Sequence, residues 1–108
     1  MSYRVRVLAR AWRDLDEILG YIAARSPDGA ARLLDRFDQE LSRLGGNPLA
    51  APLAPEAEVV GEAIRHVFFR TRAGRTYRAL FLLVGDEVRV LRVRGPGQPP
   101  VGPDELPR

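Results

Sequence analysis

Residues 76–94, TYRALFLLVGDEVRVLRVR, decide the fold. From Thr76 to Val84 the chain alternates Tyr77, Ala79, Phe81 and Leu83 against Arg78, Leu80, Leu82 and Val84. Both sets are largely apolar, as a strand covered on both faces requires. Glu87 to Arg94 sets Val88 and Val90 opposite Arg89, Leu91 and Val93. Gly85-Asp86 lies between the two runs as a two-residue turn of the primed kind, so the stretch predicts an antiparallel hairpin. Upstream, Ala63 to Phe69 alternates Ile64, His66 and Phe68 against Arg65, Val67 and Phe69, and a basic loop, residues 70–75, joins it to the hairpin. Three strands in a meander follow.

Further upstream, Tyr3, Val5 and Val7 alternate with Arg4, Arg6 and Leu8, the period of a half-buried strand. From Arg10 to Arg25 the period changes: Ala11, Trp12, Leu15, Ile18, Leu19 and Ile22 recur at three- and four-residue spacing, with Arg13, Asp14, Asp16 and Glu17 directed elsewhere. Ser26-Pro27-Asp28 supplies a hydroxyl cap and a proline suited to the first helical position. A second helix then carries Ala30, Leu33, Leu34, Phe37, Leu41 and Leu44 on one stripe, and Gly45-Gly46-Asn47-Pro48 is expected to end it with a left-handed cap. Residues 47–62 show neither period and read as an irregular surface connection without chemistry. The tail from Gly95, with prolines 96, 99, 100, 103 and 107, is expected to be extended or disordered.

The fold class is therefore α+β: an N-terminal strand, an antiparallel helical hairpin, then a three-stranded antiparallel meander. The helices cover one face of a single mixed or antiparallel sheet and leave the other partly open. A domain of residues 1–94 and a Pro/Gly-rich tail of 95–108 are the expected organisation.

Composition narrows the chemistry. The chain has 108 residues, no cysteine and one histidine, so disulfides, thiol nucleophiles and sites built from several imidazoles are excluded. All 17 basic residues are arginine, which can hold an anion but cannot exchange a proton near neutral pH. The net charge of +3 suits an acidic or nucleic-acid partner without requiring one. No apolar run is long enough to span a membrane and residues 1–20 lack the pattern of a secretion signal, so a cytoplasmic location is expected and no membrane partner.

The succession of YRVRVL, ARAWRDLDEILGYIAARSPDGAARLLDRFDQELSRLGGNP and TYRALFLLVGDEVRVLRV resembles the RelE/ParE superfamily of type II toxin–antitoxin toxins over residues 3 to about 94. The resemblance implies a bacterial growth inhibitor neutralised by a cognate antitoxin encoded beside it, with which it can form a toxin–antitoxin hetero-oligomer. It implies two targets. RelE-like members cleave messenger RNA on the ribosome without a metal, using basic residues and a tyrosine; ParE-like members are associated with inhibition of DNA gyrase.

Arg78 matches the arginine of the Tyr-Arg pair that the ribonucleases use on the phosphate, although a structural or antitoxin-facing role serves it equally. Arg65 stands where those enzymes carry a basic residue, but Val67 replaces their lysine and no tyrosine follows Tyr77. RNA cleavage by 2′-hydroxyl attack needs a proton acceptor and a proton donor, and arginine is poor at both. Were the chain a ribonuclease, Arg65, His66 and Arg78 would carry the reaction; no catalytic residue is otherwise assigned, and no cofactor or metal is expected. A lone histidine between Arg65 and Val67 in a strand reads first as a packed or hydrogen-bonded side chain, ahead of a base. Arg70, Arg72, Arg75, Arg78, Arg92 and Arg94 are the candidate contacts for a phosphate or target, with a solvated hairpin tip as the alternative for the loop. The reading is a ParE-like toxin acting through gyrase; a ribosome-dependent ribonuclease and an inactive partner-binding module are the other two possibilities.

Overall fold

The computed structural model describes residues 2–107. Strand β1 (Arg4–Val7) leads into helix α1 (Ala9–Ala23), which turns back into α2 (Pro27–Gly46). A short helix α3 (Glu56–Val60) follows, then β2 (Arg65–Arg70), β3 (Thr76–Val84) and β4 (Glu87–Arg94). The four strands form one sheet in the order β1-β4-β3-β2. β1 runs parallel to β4, with Val5 opposite Val88, and the other pairs are antiparallel. The expected α+β class, with the helical hairpin on one face of a mixed sheet, is what the structure shows.

The Ser26 hydroxyl accepts from the Gly29 N–H at 3.0 Å and starts α2 as its sequence predicts. Gly85 has φ of 61°, the positive value that the first central residue of a type II′ turn needs. On the helix side of the sheet, Leu15 of α1 and Leu33, Phe37 and Leu44 of α2 pack against Phe69, Tyr77, Phe81, Val88 and Val90. A chain of rings runs through this core, from Trp12 to Phe37 at 6.0 Å, Phe37 to Phe69 at 5.4 Å and Phe69 to Tyr77 at 5.8 Å.

Five sequence expectations need correction. The left-handed cap at Gly45-Gly46 does not form: α2 runs through both glycines and ends at Asn47 with φ of −155°. The Gly45 carbonyl instead accepts from the Tyr3 N–H at 2.8 Å and ties the end of α2 to the start of β1. Strand β4 is not uniformly alternating either. Leu80 faces Arg92 and Phe81 faces Val90, so Leu91 is an extra residue in a bulge, and Val93 joins the helix-side core rather than the face of Leu91.

The second face of the sheet is not left open. Ile64, Leu80 and Leu91 are covered by Ala54 from the connection and by Val101 and Leu106 from the tail. The connection holds α3 and a 3-10 turn, Pro48–Ala50, and Leu53 bridges to Arg65 at the edge of β2. The tail carries a second 3-10 turn, Pro103–Glu105, and Val101 and Leu106 are both buried. Prolines keep it from forming longer elements, yet covering an apolar sheet face gains roughly 25 cal/mol per Å² and fixes its path.

Candidate functional site

The arginines singled out by sequence separate into an interior set and a surface set. Strand β1 stops at Val7, opposite Val90, so the following residues of β4 have no neighbouring strand on that side. Asp14 of α1 fills the gap. Its Oδ2 accepts from the Val93 N–H at 3.0 Å and from Arg92 Nε at 2.7 Å, and its Oδ1 accepts from Arg92 Nη2 at 3.1 Å. One carboxylate thus replaces a missing backbone acceptor and neutralises a guanidinium, the strongest kind of protein hydrogen bonding. Arg92 is 3% exposed and its Nη1 also donates to the Glu105 carbonyl at 2.8 Å. Arg94 is buried beside it, with Nη2 at 3.5 Å from the Glu105 carboxylate and Nε without a hydrogen-bond partner.

Arg78 points to the second face of the sheet. Its Nη1 donates to Glu56 Oε1 at 2.8 Å and its Nη2 to Glu56 Oε2, while the Val101 N–H donates to Oε2 at 3.0 Å. His66 Nδ1 lies 3.2 Å from Arg78 Nη1. Burial alone would raise the Glu56 carboxyl, but the hydrogen bonds from Arg78 and the Val101 N–H reverse that and hold it at about 2. Burial, and then the neighbouring Arg78 cation, push His66 below its ordinary value. Arg65 donates from Nη1 to the Ala51 carbonyl at 2.6 Å. In register it faces Phe81 of the helix-side core, one residue away from His66, which faces Leu80 of the opposite core. His66 and Arg78 are therefore together, and Arg65 lies on the other side of the strand.

The loop between β2 and β3 is the surface set. The Thr71 N–H donates to the Arg75 carbonyl at 3.0 Å, Thr71 Oγ1 accepts from the Arg75 N–H at 3.1 Å, and Gly74 takes φ of 85°. This ordered turn leaves the side chains of Arg70, Arg72 and Arg75 exposed, and none forms an ion pair among the described residues. Among the described residues no three His, Asp or Glu side chains group as metal ligands.

Sequence reading missed Asp14 and Glu56, which decide what Arg92 and Arg78 can do. Asp14 carried a readable signal: it falls three residues after Ala11 and four before Ile18, on the apolar stripe. Glu56 had no such signal, because its burial depends on a tail 45 residues away in sequence.

The family described as ParE toxin of type II toxin-antitoxin system, parDE, matches residues 5–98. The chain belongs to this family. A solved structure titled Chromosomal ParDE TA system from P. aeruginosa shares the fold, with a TM-score of 0.66 and 20% identity over 87% of this chain and 96% of that one. No curated protein sequence matches. No helix among the described residues is long and apolar enough to cross a membrane.

Proposed function

We propose that this chain is the toxin of a ParDE pair, arrests bacterial growth in the cytoplasm by inhibiting DNA gyrase, and is neutralised by its antitoxin. The family match over residues 5–98 carries the reading. The site chemistry supports a toxin that acts by binding: the single imidazole is interior, beside a cation that disfavours its protonation, and Arg78 is already neutralised by Glu56. Exposed Arg70, Arg72 and Arg75 are left as the target-contacting group from the original candidates, whereas Arg78, Arg92 and Arg94 hold the fold together.

The antitoxin segment lies over the helical hairpin and the edge of β2. β2 is one of the two edge strands of the sheet; Leu53 and Pro52 cover it at Arg65 and His66, Arg36 reaches the Arg70 carbonyl at its far end, and Phe68 between them is 46% exposed. An extended partner strand can pair there through its backbone. Induced expression tests the reading: growth stops, resumes when the neighbouring antitoxin is co-expressed, and arrested cells show loss of supercoiling before loss of translation. Unimpaired growth, or immediate cleavage of translated messages, overturns it.

A further inference from the structure

Eight of the described arginines form no ion pair among the described residues, and six of these eight, Arg25, Arg32, Arg36, Arg70, Arg72 and Arg75, line one cleft. The cleft encloses about 280 Å³ between the turn of the helical hairpin and the β2–β3 loop, and no carboxylate lines it. Its two walls match: Arg25, Arg32 and Arg36 stand on the helical side, and Arg70, Arg72 and Arg75 on the loop side. All six side chains are exposed. The walls are held together where Arg36 Nη1 donates to the Arg70 carbonyl at 3.2 Å.

We infer that this cleft binds the phosphodiester backbone of a nucleic acid. Guanidinium forks grip phosphate oxygens in pairs, and a concentration of such groups with no internal counter-charge is the electrostatic footprint of a polyanion site. Arg32 and Arg36 are one helical turn apart, a rise of about 6 Å, which spans one to two of the roughly 3.4 Å charge spacings along a nucleic-acid strand. Leu33 and Tyr77 close the floor beneath the arginines, at 1% and 5% exposure. Tyr21 at the rim is 57% exposed and carries Arg25 over its ring at 4.3 Å, an aromatic and cation pair on which a base can stack. The site is separate from the Arg78, His66 and Glu56 cluster; it shares Arg70, Arg72 and Arg75 with the target-contacting group proposed above, and adds Arg25, Arg32 and Arg36, so nucleic-acid binding is read on the purified chain with no gyrase present.

The test is fluorescence anisotropy of the purified chain with a labelled oligothymidylate of about 12 nucleotides and with a duplex of the same length, titrated with salt upward from about 50 mM. The two arms distinguish single-stranded from duplex phosphates. The expected result is binding that weakens with salt, and about tenfold weaker binding in both Arg32→Gln/Arg36→Gln and Arg72→Gln/Arg75→Gln. Each pair should lower the salt slope on the single strand by about 1.4. Arg13→Gln, exposed, without an ion pair and outside the cleft, should bind as the parent does. Two pairs on opposite walls guard against a folding defect in one, checked by near-ultraviolet circular dichroism. Absence of binding by the folded chain at the lowest salt overturns the inference. So does equal weakening by Arg13→Gln, or displacement of the strand by polyglutamate at equal charge.

Discussion

Arg78 of β3 and Glu56 of α3 grip one another through the two terminal guanidinium nitrogens and both carboxylate oxygens, in a pair whose acid is 1% exposed and whose Oε2 also accepts from the Val101 N–H of the tail. Sheet, connection and tail converge on that one carboxylate. The Asp14–Arg92 pair does the same at the β4 edge beyond the end of β1, joining α1, β4 and the Glu105 carbonyl. Arginines that in a list of charges look like a binding surface are in this fold the pins that fasten its second layer.

Removing one partner leaves an uncompensated buried charge, whose cost is about 3 to 5 kcal/mol. Glu56→Gln should therefore lower the unfolding free energy by about 3 kcal/mol in urea titrations. Glu56→Leu/Arg78→Met, which removes both charges, should cost less than the sum of its single substitutions. Additive losses would deny the coupling.

Acid should destabilise the chain in two stages. His66 has its folded-state pKa below the ordinary 6.5, so the unfolded chain takes up the proton first and stability falls as pH drops below about 6.5. Glu56, held at about 2 against 4.5, contributes stability that is complete above 4.5 and is lost between there and about 2. Stability measured from pH 8 to pH 3 should show both stages, and His66→Gln should abolish the first alone. An unchanged first stage in that variant would remove His66 from the account.

Asp14→Asn removes the charge facing Arg92 and weakens the cap on the β4 edge. The expected loss is about 3 kcal/mol, with faster amide exchange at Val93, whose N–H donates to that carboxylate. Exchange at Val93 unchanged from the parent would show that the edge is protected by something else.

Leu106→Ala should cost about 2 kcal/mol, at the low end for a buried leucine because the site lies at the end of the chain. Near-zero cost in thermal unfolding would mean that the tail does not cover the sheet in solution.

The four strands and the two long helices were legible because each has a local cause: alternation for β3 and β4, the Ser26 cap and Pro27 for α2, Gly85 for the hairpin turn. What was not legible depends on long-range partners. The apolar second face of β3 was visible in Leu80 and Leu82, but nothing local showed that a proline-rich tail would cover it. The bulge at Leu91 moved Val93 to the opposite core, against simple alternation. Arg78 and Arg92 had to be read without Glu56 and Asp14, and an arginine's role is set by its counter-charge. The arginines of the cleft come from segments more than 30 residues apart in sequence and share a site only once the hairpin is docked on the sheet.

The proposed toxin binds gyrase through its exposed loop arginines, while the buried arginines hold the fold together. Supercoiling by purified gyrase, with rising amounts of the free chain and of Arg72→Glu/Arg75→Glu, measures it most directly. The expected result is inhibition by the parent and at least about tenfold weaker inhibition by the variant at unchanged melting temperature. Full supercoiling at stoichiometric excess of the parent, or equal potency of the variant, would contradict it.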